Sequence, residues 1–133
     1  IAFIHEHHIL TLATSNNGFP YCATCFYVYL EKENLFVFTS DDKTRHGQEM
    51  KINSKIAAAI ALETKTIGKI RGLRICGDVH IPNSPVDKLA RKAYLKAFPY
   101  AILKPAELWI LKPEYVKMTD NRLGFGKKLI WKS

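Results

Sequence analysis

The chain has 133 residues, of which 47% are hydrophobic and 24% are charged, and its formal net charge is +8. This length is typical of one domain that buries a core without disulfides or metal ions, so we expect a single domain over residues 1–133. The composition excludes a disordered chain, and no apolar run approaches the ~20 residues of a membrane span, so we expect no membrane partner.

The excess of lysine and arginine indicates an anionic ligand other than nucleic acid. The basic residues are scattered along the chain, and no helix-turn-helix or aromatic RNA-binding motif is present. An odd number of cysteines, 3, argues against a disulfide framework and predicts a protein of the reducing cytoplasm. Cys22 and Cys25 form a CxxC inside a strand-like run, so we predict two small core residues rather than a redox or zinc pair.

The first half of the chain predicts a short helix and then paired strands. The expected elements are the end of a helix at 1–8 and strands at 9–14, 19–30, 35–39 and 55–63. The Ser-Asn-Asn-Gly run at 15–18 is a strong hairpin signal. The strand at 19–30 is apolar on both faces, which predicts that its outer face meets a helix, a partner subunit or a cofactor.

The loop after the third strand is rich in groups that bind anions. These groups are Ser40, Lys43, Thr44, Arg45 and His46. A helix expected to reach Asn53 starts here, and the free N–H groups and dipole of a helix start favour negative charge. The loop therefore predicts a phosphate-binding turn. A solvated surface turn is the alternative, because Asp41 and Asp42 oppose a phosphate unless they point away.

The second half predicts the remaining strands and an amphipathic helix. The expected elements are a strand at 70–81, a helix at 85–98, a strand at 108–111, and a closing hairpin of strands 115–119 and 127–131. Gly72 and Gly77 predict bulges or a bend. Ser84 is the predicted N-cap and Pro85 the first-turn residue of the helix, whose apolar stripe predicts packing on a barrel. The elements predict a mainly β (α+β) fold, an antiparallel barrel of six to seven strands with flanking helices.

Several stretches resemble one known family, and the resemblance covers nearly the whole chain. Gly18-x-Pro20-Tyr21 with the long strand after it, Phe38-Thr39, and the loop with Met50–Ser54 resemble the FMN-binding split barrels of the pyridoxamine 5'-phosphate oxidase family. The ending TDNRLGFGKKLIW resembles a small bacterial branch of that family. The resemblance implies an antiparallel split β-barrel that forms a homodimer, with FMN at the subunit interface. It further implies a flavin-dependent oxidoreductase acting on a small-molecule substrate.

The resemblance also implies the residues that contact FMN. Along the ring and ribityl chain these are Ala23, Thr24, Cys25, Phe26, Phe38 and Thr39. Around the phosphate they are Ser40, Lys43, Thr44, Arg45 and His46. On later segments they are Arg71, Leu73, Asn121 and Arg122, of which Asn121 and Arg122 would reach the flavin of the partner subunit.

The chain also departs from the oxidases of this family. They carry arginine and lysine at the positions of Ala23 and Val28, and a substrate-binding Arg-Leu-His-Asp-Arg where this chain has residues 123–127. Pyridoxamine phosphate is therefore not the expected substrate. The sequence singles out no acid, base, nucleophile or metal site.

Two alternative functions stay open. Relatives of this fold bind or degrade haem, for which the candidate ligands are His5, His7, His8, His46 and His80. The other alternative is a dimeric binding module without a cofactor.

Overall fold

A computed structural model describes residues 1–102, 106–124 and 126–133. The strands are β1 (Ile9–Asn16), β2 (Phe19–Leu30), β3 (Leu35–Ser40), β4 (Lys55–Ala61), β5 (Arg71–His80), β6 (Glu107–Asp120) and β7 (Lys128–Lys132). The α-helices are α1 (Ala2–Glu6), α2 (Arg45–Ile52) and α3 (Val86–Ala97). None of the helices in these ranges has the length and apolar character needed to cross a membrane.

Six of the strands close into a barrel. All pairings are antiparallel, and the strand order is β3-β2-β1-β4-β5-β6-β7. β3 also pairs with β6, from Phe36 opposite Leu111 to Ser40 opposite Glu107, and this pairing closes the barrel. β7 pairs with the other half of the same edge of β6, Tyr115–Thr119, and lies outside the closed barrel. The predicted split barrel of six to seven strands is therefore confirmed.

Alternation along the strands divides the apolar side chains between two clusters. The barrel interior contains, each at most 1% exposed, Leu10, Leu12, Phe36, Phe38 and Ile75. Burial of each such side chain contributes about 1.5–3 kcal/mol. Outside the barrel, Ala90 and Tyr94 of α3 pack on Val37 and Leu108, with Val28 of β2 at the edge of this second cluster. The predicted packing of α3 on the barrel is confirmed, and α3 covers the outer face of β2 only along its second half.

The start of α3 differs from the sequence prediction. The first helical residue is Val86, and Pro85 occupies the N-cap position without a capping hydrogen bond from its side chain. Ser84 is therefore not the N-cap. Two other groups accept from the first-turn N–H groups: the Asn83 carbonyl accepts from the Asp87 N–H at 3.0 Å, and Asp87 Oδ1 accepts from the Lys88 N–H at 2.8 Å.

The two strands predicted on either side of a Pro-Glu turn form one continuous strand, β6, of 14 residues. The predicted turn was therefore wrong. Pro113 fits within the strand because the pairing of β5 with β6 shifts register between Cys76 and Gly77, opposite the proline. A bulge is one of the few places where a strand tolerates proline. The bulge predicted from Gly77 is confirmed, whereas Gly72 lies in regular register.

The CxxC cysteines have different environments. Cys25 points into the barrel, and burial raises the pKa of its thiol to about 11. Cys22 is exposed, so the prediction that both are core residues was wrong for Cys22. Cys22 is exposed because it lies on the outer face of β2 in the first half of the strand, which α3 does not cover.

Candidate functional site

α2 begins at a tightly packed turn that follows β3, in the order the sequence predicts. Thr44 is the N-cap, and its hydroxyl accepts from the Gly47 N–H at 3.1 Å and donates to the Asp41 carbonyl at 2.7 Å. The Ser40 hydroxyl lies 3.3 Å from that of Thr44. A Cβ at Gly47 would lie 2.5 Å from the Asp41 carbonyl oxygen, so the turn requires glycine there. We call residues 40–46 the α2 turn.

Both aspartates of the α2 turn have a hydrogen-bond or ion-pair partner. Asp41 Oδ1 accepts from the Lys43 backbone N–H at 2.9 Å. Asp42 Oδ1 lies 3.0 Å from Lys51 Nζ, across the helix. The Lys43 side chain is exposed. Asp42 therefore opposes an anion at this turn less than its formal charge indicates, whereas Asp41 has no cationic partner among the described residues.

Arg45, the first residue of α2, is held in place by two neighbours. Its Nε donates to Glu49 Oε2 at 3.3 Å, and its guanidinium carbon lies 4.3 Å from the centre of the Tyr21 ring. Neither terminal nitrogen bonds to any residue in the described part of the chain. The side chain is 54% exposed. Two guanidinium nitrogens are thus available to an anionic ligand.

Glu49 is the buried carboxylate that orients Arg45. The residue is 6% exposed, and the Thr14 hydroxyl donates to its Oε1 at 2.6 Å. The hydrogen bond from Thr14 lowers the pKa of Glu49 and the contact with Arg45 lowers it further, while burial opposes both. Glu49 is therefore ionised at neutral pH and attracts the guanidinium.

A Thr14→Val variant removes this donor while keeping a side chain of similar size. We expect it to unfold at lower urea concentration than wild type at pH 7, because a buried carboxylate loses a hydrogen bond. The native-state pKa of Glu49 is lowered from 4.5. Its ionised form therefore contributes stability above that unfolded-state value, and the contribution is lost as the pH falls through the lower native-state pKa. The urea midpoints of wild type and Thr14→Val should therefore approach each other as the pH is lowered from about 6 to about 3. A difference that stays constant would contradict the role of the Thr14 hydrogen bond to Glu49.

The flavin-contact candidates on β2 and β3, together with Leu73 of β5, lie on both faces of the barrel wall. Thr24, Phe26 and Thr39 lie on the outer face, where Thr39 Oγ1 is 3.2 Å from the Tyr94 hydroxyl. Tyr94 also donates to the Phe26 carbonyl at 3.3 Å. Side chains that point into the barrel are those of Ala23, Cys25, Phe38 and Leu73. These four can contact a ligand on the outer surface only through backbone groups.

The remaining candidates lie at the other end of the barrel. Arg71 Nη1 is 3.4 Å from Glu6 Oε2, and Arg122 Nη2 is 2.9 Å from Asp120 Oδ2, with Asn121 beside it. Arg71 begins β5, and the opposite end of β5 packs beside α2. A single chain therefore does not bring Arg71, Asn121 and Arg122 to the α2 turn.

The outer surface of β1, β2, β4 and β5 consists largely of small side chains. One row across the sheet contains Cys22, Ala13, Ala57 and Cys76. The next row contains Thr24, Thr11, Ala59 and Arg74. Most of these residues are exposed, and Phe26 and Ile9 at the border are 51% and 45% exposed. We call this surface the small-residue face.

Sequence reasoning missed the residues that support Arg45. Glu49 follows Arg45 by four positions on a predicted helix, and this spacing could have identified the pair. Thr14 and Tyr21 belong to β1 and β2, far from α2 in sequence. No local pattern indicates those two contacts.

Relatives in two bacteria match the chain almost from end to end, although no family model matches it. A UPF0306 protein of Photorhabdus laumondii is 39% identical over 129 residues, covering 97% of this chain and 90% of that protein. A UPF0306 protein of Yersinia pseudotuberculosis is 37% identical over 129 residues, covering 97% of this chain and 88% of that protein.

Solved structures share the fold at low sequence identity. A haem-binding protein from Mycobacterium smegmatis has a TM-score of 0.84 at 20% identity over 98% of this chain. The match covers only 55% of the mycobacterial protein, so the chain spans about half its length. A FAD-binding protein from Mesorhizobium loti has a TM-score of 0.72 at 14% identity, covering 88% of each chain. A protein of the pyridoxinephosphate oxidase family from Clostridium acetobutylicum has a TM-score of 0.69 at 18% identity, covering 98% of this chain and 89% of that one.

These likenesses establish the split-barrel fold, which flavin-binding and haem-binding proteins share. The family follows from the relatives, since 37–39% identity extends over nearly the whole chain. The protein therefore belongs to the UPF0306 family.

Proposed function

We propose that this protein is a homodimeric FMN-binding protein, a flavin-dependent oxidoreductase whose α2 turn holds the phosphate of the cofactor. The observation that carries the proposal is Arg45, which is held at the start of α2 by Glu49 and Tyr21 while no described residue bonds to its terminal nitrogens. A preoriented guanidinium binds phosphate oxygens with two parallel hydrogen bonds.

The donor set of the α2 turn fits a phosphate dianion. The dipole of α2 favours negative charge at its N-terminus, where Arg45 lies. The exposed Lys43 side chain lines a neighbouring pocket with Asp42 and Arg91 and adds positive charge to the turn. When bound, FMN supplies hydride and electron transfer chemistry. The residues of this chain bind and orient it. The substrate is expected to be a small molecule.

The small-residue face supports a homodimer. Alanine, cysteine and threonine side chains let a second sheet approach closely, and a two-fold axis would place the same face of each copy in contact. The bordering Phe26 and Ile9 add exposed apolar surface to this contact. Such a dimer would also explain why Arg71, Asn121 and Arg122 lie far from the α2 turn of their own chain, because they would serve the cofactor of the partner.

Haem is the second candidate cofactor, supported by His46 in the α2 turn. Burial lowers the pKa of His46, although Glu49 opposes the shift. Its imidazole is therefore neutral at pH 7, the form that binds iron. The other candidate ligands have different surroundings: His5 contacts Glu31, His7 the Phe3 carbonyl and His8 the Phe26 ring, and His80 is exposed.

The test compares FMN with riboflavin, which lacks the phosphate. We expect wild type to bind FMN more tightly than riboflavin, and Arg45→Ala to weaken FMN binding by about 10- to 100-fold, as loss of charge-assisted hydrogen bonds predicts. Riboflavin binding should change little. Quenching of flavin fluorescence on titration measures both affinities.

The matched control is Lys32→Ala, which removes an exposed cation from the β2–β3 turn, and it should leave FMN binding unchanged. Equal affinity of wild type for FMN and riboflavin would contradict the phosphate site. Failure of FMN to bind, together with a Soret band on haemin titration that is lost in His46→Ala, would favour haem instead.

A further inference from the structure

The split in the barrel leaves a cavity that the proposed cofactor site does not use. β3 and β7 both pair with the same edge of β6, β3 along one half and β7 along the other. Between the β2–β3 hairpin and β7 lies a cavity of about 400 Å³, which α1 closes only in part. We call it the split cavity.

The walls of the split cavity are mostly apolar and come from separate elements. They include Phe3 of α1, Phe36 and Leu73 of the barrel core, Met118 of β6, and Leu129 and Trp131 of β7. An apolar cavity of about 150 Å³ stays dry and binds benzene. A cavity of about 400 Å³ is therefore large enough for a molecule of two or three rings, and it falls in the size range of small-molecule pockets.

The lining of the split cavity carries a negatively charged side chain, whereas the chain as a whole is positively charged. Among the described residues that line it, Glu31 carries the only charged side chain, whereas the whole chain has a net charge of +8. Glu31 lies at the rim, 3.1 Å from the His5 ring. Two further polar groups, the Tyr29 hydroxyl and Asn34, contact each other at 2.6 Å. The wall contains this carboxylate and, among the described residues, no lysine or arginine, so it disfavours an anionic ligand.

The split cavity is remote from the α2 turn. β2 begins beside α2, where Tyr21 contacts Arg45, and ends at the cavity, where Tyr29 forms part of the wall. Eight steps along the strand lead from one tyrosine to the other, a length of about 26 Å in an extended strand. The split cavity and the α2 turn are therefore separate sites of opposite charge preference.

We propose that the split cavity binds a small, largely apolar molecule whose polar end is neutral or cationic. Its ring system would contact Phe36, Met118 and Trp131. Its polar end would lie at the rim, next to Glu31 and Asn34.

N-phenyl-1-naphthylamine, an uncharged dye that fluoresces in apolar surroundings, tests the proposal on the full-length protein at about pH 8. We expect saturable binding at about one dye per chain, unaffected by excess FMN. As competitors, 1-naphthylmethylamine and 1-naphthoate match in size and differ in charge. The amine should displace the dye at a concentration at least ~10-fold lower than the carboxylate, and Glu31→Gln should bring this ratio close to one.

Two variants locate the binding site. Met118→Trp fills the cavity from β6, and Leu129→Trp fills it from the exposed strand β7, where a large side chain is tolerated if Met118→Trp does not fold. Each folded variant should bind the dye at least ~10-fold more weakly. Lys117→Trp, the neighbouring position that pairs on the outer face with Arg74, should bind like wild type.

Three results would overturn the proposal. They are absence of saturable dye binding, displacement of the dye by FMN, and wild-type affinity in Leu129→Trp. Equal displacement by the amine and the carboxylate would overturn the charge preference.

Discussion

A Gly77→Ala variant is expected to lose roughly 3 kcal/mol or more of unfolding free energy, a large part of the stability of a domain of this size. The new Cβ would lie 2.2 Å from the Lys112 carbonyl oxygen and 3.0 Å from the Pro113 Cα. Both are backbone atoms of β6, so no side chain can rotate away. Urea unfolding followed by far-ultraviolet circular dichroism measures the loss.

The matched control for this substitution lies on the same strand. Among the described residues, a Cβ at Gly72 would meet only the Ile60 carbonyl oxygen, at 3.6 Å, which is an ordinary contact distance. Gly72→Ala should therefore change the unfolding free energy by less than about 1 kcal/mol. Similar losses in both variants would mean that the register shift opposite Pro113 does not require glycine, and the account of β6 would be wrong.

An Ala59→Arg variant is expected to convert a dimer into folded monomers. Ala59 lies in the small-residue face, opposite Arg74 on the neighbouring strand. In a two-fold dimer each copy would bring an additional arginine into the contact, and like charges across an interface cost several kcal/mol. The dissociation constant should rise by at least ~100-fold. Size-exclusion chromatography with light scattering measures the mass of each species.

The three cysteines provide a second measure of this contact. Cys22 and Cys76 lie on the small-residue face, whereas Cys25 is buried in the barrel with a thiol pKa raised to about 11. A thiol reagent at about pH 8 should label Cys22 and Cys76 faster in Ala59→Arg than in wild type. Cys25 should stay unlabelled in both proteins.

Ala97→Arg is the matched control for the dimer experiment. It makes the same substitution at an exposed alanine of α3 and should leave the protein dimeric. If Ala59→Arg stays dimeric, the small-residue face is not the subunit contact. If it becomes monomeric and still binds FMN like wild type, the cofactor does not need the partner subunit.

The sequence by itself determined most of the strands, the first hairpin and the turn before α2, although the hairpin turn is Asn17–Gly18 and not the whole of 15–18. These features depend on short-range causes: alternating burial along a strand, residues that adopt tight turns, and capping hydroxyls at a helix start. The resemblance to split barrels added the closure of the barrel, which no local pattern specifies. The fit of α3 to the barrel was also predictable, because its apolar stripe recurs at helical spacing.

Only the tertiary structure decided which residues meet across the fold. Thr14 and Glu49 are 35 positions apart, and their hydrogen bond exists because β1 ends beneath α2. Pro113 fits within β6 because β5 presents Gly77 opposite it. Cys22 is exposed because α3 is too short to cover all of β2, and the split cavity exists because β3 and β7 share one edge of β6. Each of these outcomes depends on contacts between distant segments, and local sequence carries little information about such contacts.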